Sequence, residues 1–383
     1  MLPHPPPGPA RRRFVALCAV AFLALIVGIV VGAGGGSSTP KKPVALEPPA
    51  PAVAKAKELS LARQVGEIVM IAFPGTQAPG YVQRALRKGR ASGVILFRAN
   101  VPTPAVAQAL THRLQRASRR KALIAVDQEG GPIRILPWLP PVPAQGATPT
   151  EQLARSQARA AARRLRAAGV NVTLAPVADV GGSHSVMSGR AFPGGTSDVA
   201  ALTSAAVGGY RGTNVAPTLK HFPGLGAAGT NTDDEPVTIG SPRAALGARD
   251  LPPFAAGIKA GAPLVMASHA LYTGLDRRNI ASQSKAILTT LLRGKLGFDG
   301  VVITDSMEAD AVLKGSSLET AALRSLNAGA DILLLTGAAS FPRVYKQLLV
   351  GARRSARFRA RIADAAARVI ALKRSLGLAA PRR

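Results

Sequence analysis

Two stretches of the chain gather side chains that can move protons or attack carbon. One reads Lys220-His221-Phe222-Pro223-Gly224-Leu225-Gly226, followed by Asn231-Thr232-Asp233-Asp234-Glu235. A cation and an imidazole end the apolar run Val215–Leu219, a Pro-Gly turn follows, and a loop of small residues delivers a cluster of carboxylates. The other stretch ends in Asp305, which closes the β-branched run Val301-Val302-Ile303-Thr304. A carboxylate at such a place is costly to bury unless it is hydrogen-bonded or takes part in chemistry. A helix N-cap begun with Ser306 and Glu308 is the structural alternative.

Other polar groups also follow apolar runs. Asp127-Gln128-Glu129-Gly130-Gly131 sets an acid beside glycines that let a ligand approach the backbone closely. Asp127 there either accepts hydrogen bonds from sugar hydroxyls or caps the next turn. Arg190, after a Gly/Ser loop, either forks onto an acceptor group or lies on the surface. Lysine is seldom buried unpaired, so Lys220 next to His221 at a strand end favours ligand contact for both. His269 reads as a structural histidine.

These groups need a frame that brings them together. From Val65 onward the apolar runs are Gly66–Phe73, Gly93–Phe97, Ala122–Gln128, Val170–Val180, Val215–His221, Leu264–Ala270, Val301–Asp305 and Asp331–Thr336. Segments of helical period lie between several of them, such as Glu151–Ala168, Ser197–Val207, Pro252–Ala260 and Ser284–Gly294. Strands alternating with helices, without returning hairpins, predict an α/β fold of parallel βα units. Eight of them predict a (β/α)8 barrel, in which strand ends converge on one face. Asp127, Asp179, Lys220, His221, Ser268, His269 and Asp305 all fall at those ends. No Gly-x-Gly-x-x-Gly follows a strand, which weakens a dinucleotide-binding alternative.

One cysteine among 383 residues excludes an intrachain disulfide framework, and no Cys/His spacing suggests a zinc site. The formal charge is +29, yet aromatics are only 4%, so platforms for stacking nucleic-acid bases are scarce and nucleic acid is not an expected partner. From Phe341 to the end there are 12 Arg or Lys against the single acid Asp364. That excess reads either as a solvated helix face or as attraction to anionic lipid or cell-wall polymer.

Arg11-Arg12-Arg13 precedes the uncharged run Phe14–Ala33, long enough to cross a membrane with the amino end cytoplasmic. The expected organisation is a basic N-terminus (1–13), a signal anchor or signal peptide (14–33), a Gly/Pro/Ala-rich linker (34–58) and one barrel domain (59–383). The barrel is then exported, either membrane-tethered through the N-terminal helix or secreted after cleavage.

The chain resembles the family 3 glycoside hydrolases, in particular the single-barrel bacterial β-N-acetylglucosaminidase branch. The resemblance runs from about Val65 to Leu378 and rests on six ordered motifs. They are Gly93-Val-Ile-Leu-Phe97, Val126-Asp-Gln-Glu-Gly-Gly131, Leu174-Ala-Pro-Val-Ala-Asp179, Lys220-His-Phe-Pro-Gly224, Val265-Met-Ala-Ser-His269 and Gly297-Phe-Asp-Gly-Val-Val-Ile-Thr-Asp-Ser306. It implies retaining hydrolysis of β-linked N-acetylglucosamine with Asp305 as nucleophile. It also implies sugar-binding roles for Asp127, Arg190, Lys220 and His221, and no metal or organic cofactor.

Two departures bear on the chemistry. The branch places Asp-Ser-His after the Lys-His-Phe-Pro-Gly loop, with the His as acid/base; here those positions are Asn231, Thr232 and Asp233. Asp233 is therefore the expected proton donor, with Asp234 and Glu235 as neighbours that could raise its pKa or replace it. The branch also reads Gly-Gly-Arg-Val-x-Arg, and the final arginine is Ile135 here, one residue past Arg134. The leading expectation is an exported glycosidase acting on cell-wall glycan. The alternative is a barrel that binds such glycans without turnover.

Overall fold

A computed structural model describes residues 50–378. The eight strands are β1 (Val69–Ile71), β2 (Gly93–Ile95), β3 (Leu123–Val126), β4 (Val172–Thr173), β5 (Ala216–Phe222), β6 (Leu264–Ala267), β7 (Val301–Ser306) and β8 (Ile332–Leu335). Each pairs in parallel with its sequence neighbours, and β1 pairs with β8, so the sheet closes into a barrel. All eight coincide with the apolar runs read from the sequence.

The strands alternate with period two, as a sheet buried on both faces requires. Met70, Ile95, Leu123, Val172, Leu264, Ile303 and Leu334 share one cluster, which fills the barrel. Their neighbours Val69, Val94, Ile124, Val265, Val302 and Leu333 pack outward with the helices. Val369 and Leu372 of the last helix, Ala356–Ser375, and its C-cap Leu376 join the inner cluster and close the N-terminal mouth. That helix is also held by ions: Arg361 reaches buried Asp331, before β8, at 2.8 Å, and Arg293 bonds the same carboxylate.

Three details differ from the sequence reading. Residues 50–58, assigned to the linker, form the helix Ala50–Glu58, whose Ala52 and Ala56 are buried and which packs against the last helix. Alanines four residues apart make a smooth face that permits this approach. A returning hairpin does occur: Gln128–Gly130 pairs antiparallel with Ile133–Arg134 just beyond β3. Gly130 (φ 115°) and Gly131 (φ 56°) make its turn possible, and a Cβ on Gly130 would sit 2.2 Å from the Pro143 carbonyl. Finally, Ala286–Lys295 is a π-helix, wider than the α-helix expected there.

The proposed membrane segment Phe14–Ala33 lies outside the described residues. Among the described residues, no helix is long and apolar enough to cross a membrane.

Candidate active site

The chemistry-bearing side chains meet at the C-terminal ends of the strands, where barrel enzymes place their sites. Two strands are irregular there. Pairing slips between Leu219 and Phe222 on β5 and between Ile303 and Ser306 on β7. A bulge of this kind re-aims side chains at the end of a strand. These are the strands that carry Lys220-His221 and Asp305.

Lys220 is the centre of a buried ion network. Its Nζ lies 2.6 Å from Asp127 Oδ1 and 2.6 Å from Glu129 Oε1. Arg190 donates from Nε and Nη2 to the two oxygens of Glu129 at 3.0 and 2.8 Å, the bidentate fork that a guanidinium suits. Asp127 keeps 22% of its side chain exposed, whereas Glu129 keeps 2%. Burial alone would raise Glu129, but Lys220 and Arg190 outweigh it and hold the carboxyl down at about 2. Burial likewise works against the charge on Lys220, and Asp127 and Glu129 reverse that and raise its pKa. Glu129, Lys220 and Arg190 are therefore held in their charged forms, and Asp127 is the solvent-facing acid of the network.

His221 joins a second group. Buried Asp179 accepts from His221 Nδ1 at 2.8 Å, from the His221 backbone N–H at 3.1 Å and from the Leu225 N–H at 2.7 Å. A carboxylate in that position leaves Nδ1 as the donor, so Nε2 faces Asp305 Oδ2 at 3.9 Å. The Pro-Gly turn is pinned from below, since Tyr272 Oη donates to the Gly224 carbonyl at 3.0 Å. Gly226 passes so close to β4's loop that a Cβ there would be 1.9 Å from the Val180 carbonyl.

Asp305 keeps 21% of its side chain exposed, and Oδ1 accepts from the Ser306 N–H at 2.8 Å. Burial raises its pKa, but His221, His269, Lys220 and the Ser306 N–H together bring it below the ordinary aspartate value. It caps no helix, because the next one begins at Asp310 after Ala309. Glu308 turns away and accepts from the Thr336 N–H and hydroxyl at 2.7 and 2.9 Å. His269 is buried with Nδ1 2.7 Å from Ser282 Oγ, a structural anchorage. It also stands close enough to Asp305 to influence it, and burial depresses its own pKa.

Asp233 is arranged differently. It lies on an exposed loop, and among the described residues its carboxyl bonds only Asn231 Nδ2, at 3.3 Å. The backbone of the loop is tied to the segment after β7: Asp310 N–H donates to the Asp233 carbonyl at 3.1 Å and Ala311 N–H to the Thr232 carbonyl at 3.2 Å. Surrounding rim atoms raise the Asp233 pKa by burial, and the charge on Asp305 raises it further, against pulls from Asn231, His269 and His221. Asp234 and Glu235 are exposed.

Of the six residues singled out from the sequence, Asp127, Arg190 and Lys220 share one network, bridged by Glu129. His221 and Asp305 face one another, and Asp233 is coupled to Asp305 through space. The surface alternative for Arg190 and the capping alternative for Asp305 do not hold. Arg134 spends its guanidinium on the carbonyls of Gly131 and Pro137 at 3.1 and 2.8 Å, while Ile135 packs against the core. It does not stand in for an arginine at 135. Among the described residues no cluster of His, Cys, Asp or Glu could hold a metal ion.

Residues 57–372 match the family model described as the glycosyl hydrolase family 3 N-terminal domain. The chain belongs to that family. Membership makes it a glycosidase, an enzyme that hydrolyses O-glycosyl bonds.

An uncharacterized secreted glycosyl hydrolase of Arthroderma benhamiae is 36% identical over 301 residues, which cover 75% of this chain and 84% of that protein. A β-hexosaminidase of Xanthomonas oryzae is 34% identical over 278 residues, covering 70% and 83%. The solved β-N-acetylhexosaminidase from Beutenbergia cavernae superposes with a TM-score of 0.75 at 32% identity, covering 82% of this chain and 98% of that one. The family 3 β-N-acetylglucosaminidase from Paenibacillus superposes with a TM-score of 0.78 at 31% identity; the match covers 85% of this chain but only 64% of the longer neighbour.

Proposed function

We propose that this chain is a retaining β-N-acetylhexosaminidase that releases terminal β-linked N-acetylglucosamine from cell-wall glycan outside the cytoplasm. The observation that carries the proposal is the opposed tuning of two acids on one rim: Asp305 is held below the ordinary aspartate pKa and Asp233 above it. Two carboxyl groups pushed apart in this way suit a nucleophile and a proton donor. Asp305 attacks the anomeric carbon while Asp233 gives its proton to the leaving oxygen. In the second displacement Asp233 takes a proton from water, which attacks the glycosyl-enzyme and frees Asp305. The Asp127–Lys220 pair and Arg190 hold the sugar hydroxyls, and Asp179 orients His221 so that Nε2 stands beside the Asp305 carboxylate.

The hexosaminidase names of the X. oryzae and B. cavernae relatives support the N-acetylglucosamine specificity. The secreted A. benhamiae relative and the uncharged run Phe14–Ala33 support export.

The test is hydrolysis of 4-nitrophenyl β-N-acetylglucosaminide by full-length protein, with mass-spectrometric detection of a glycosyl adduct on Asp305 after denaturing quench. Background rates from folded protein across the pH range would sink the proposal. The exposure of Asp233 favours one second reading, a barrel that binds the glycan without turnover. Calorimetric binding of N-acetylglucosamine with no product release distinguishes it.

A further inference from the structure

A second cavity, of about 360 Å³, opens at the opposite end of the barrel from Asp305. It is formed by the segments leading into β1, β2 and β3 and by the end of the last helix. Its walls are strongly basic. Arg63, Arg87, Arg119, Lys121 and Arg374 line it, and none of them forms an ion pair among the described residues. Glu67 is the one lining acid, and it is taken by Lys373 at 2.5 Å. Its floor is apolar, made by Leu59, Leu86, Ile370 and Leu378. Unneutralised cations over an apolar floor suit a ligand with an anionic head and a hydrocarbon part.

The backbone supplies an independent sign. Arg119 (φ 55°) and Arg120 (φ 63°) end the helix Pro104–Ala117 in left-handed conformation. Their N–H groups bond the carbonyls of Arg116 and Gln115, an ending that glycine makes without strain. Among the described residues the other non-glycine residue with such a φ is Asn214, a type that tolerates it. A glycine at 119 would satisfy the helix end equally well and would remove a cation from the rim.

The first described helix also borders this end. Lys55, on the first described helix, lines the cavity, and residues 34–49 separate that helix from the uncharged run Phe14–Ala33. Sixteen residues reach at most about 55 Å, so a bilayer entered by that run would be the phosphate-bearing surface closest along the chain.

We propose that this cavity binds the phosphate headgroup of an anionic phospholipid. The test uses full-length protein in a maltoside detergent, titrated with dihexanoyl phosphatidylglycerol, dihexanoyl phosphatidylcholine and inorganic phosphate. Amide hydrogen exchange is followed over residues 86–92 and 118–122. Phosphatidylglycerol should slow exchange in both segments, while the other two probes should not. Equal protection by phosphatidylcholine would overturn the preference for anionic lipid, and equal protection by inorganic phosphate would overturn the lipid source. No protection by any probe would overturn the site. Arg119→Gly combined with Lys121→Gln should weaken phosphatidylglycerol binding about thirtyfold. Arg119→Gly alone should leave Tm unchanged or higher, and glycoside hydrolysis should stay at parental rates in both. Parental lipid affinity in the double variant would also overturn the proposal.

Discussion

The ion network at the ends of β3 and β5 and the acidic loop 231–235 sit on the same rim, yet they are built in opposite ways. Lys220, Asp127, Glu129 and Arg190 lock one another's position through four charged contacts, with Glu129 and Lys220 almost fully buried. The loop holds its backbone by two hydrogen bonds to the segment after β7 and leaves its carboxylates at the surface. Sugar recognition gains from preorganised charges that cost nothing to orient at the moment of binding. Proton donation needs a group that can be protonated near working pH, and a fully paired buried acid such as Glu129 could not serve. Fixed charges and an adjustable proton donor therefore belong on different kinds of backbone.

The largest effect should come from the group both regions serve. Asp305→Ala should lower kcat on nitrophenyl β-N-acetylglucosaminide by on the order of 10^4-fold or more, read in steady-state assays with folding checked by circular dichroism. Retained activity would remove Asp305 as nucleophile. Next, Lys220→Ala leaves Asp127 and Glu129 facing each other without their cation. It should cost about 3–5 kcal/mol of stability by denaturant titration, beyond its effect on turnover. A loss under ~1 kcal/mol would mean that the network is no more rigid than the loop.

Asp233→Asn should cost about 10^2–10^3-fold on a disaccharide but far less on an activated aryl glycoside, whose leaving group needs little protonation. Equal losses on both would argue against the donor role. The pH profile sharpens the same contrast. Asp305 must be ionised, so activity falls as pH drops through its depressed pKa; Asp233 must be protonated, so activity falls as pH rises through its raised one. The alkaline limb of kcat/KM should vanish in Asp233→Asn, while the acid limb stays.

The smallest effect concerns Asp250, buried beneath the Pro-Gly turn. Burial raises its pKa to about 6, with Arg249 opposing and Asp179 adding to the rise. Because the folded value exceeds the ordinary 3.8, its contribution to stability is full below the unfolded pKa and is lost as pH rises through about 6. Asp250→Asn should therefore gain in Tm relative to the parent as pH rises from 3.8 to about 6 and hold that gain above it. A constant difference across that range would refute the assignment.

The barrel was legible in the sequence because each strand carries its own local signal: a short β-branched run, a polar end and a helical segment after it. Asp305 and Lys220-His221 were legible for the same reason. Glu129 was not singled out, although it sits in the same Asp-Gln-Glu as Asp127. Its role depends on Arg190, 61 residues later, and no local pattern reports a partner at that distance. A carboxylate followed by two glycines was the available cue. The helix Ala50–Glu58 was hidden by its Pro/Ala/Lys composition, which resembles a linker until the last helix supplies a surface for Ala52 and Ala56. The Arg134 question needed the hairpin, because only its geometry shows the guanidinium committed to its own turn.

The closure of the barrel by its final helix also sets an order of events. β1 finds one of its two neighbours only when β8 exists, and the first described helix packs against residues 356–375. The seam of the barrel thus joins Val69 to Leu333, and Glu67 just before it pairs with Lys373, 306 positions away, among the slowest kinds of contact for a chain to find. The sheet cannot close, nor its N-terminal mouth be filled, until residues 332–376 are available. Without those residues β1 keeps one unpaired edge, and the remaining strands form an open sheet.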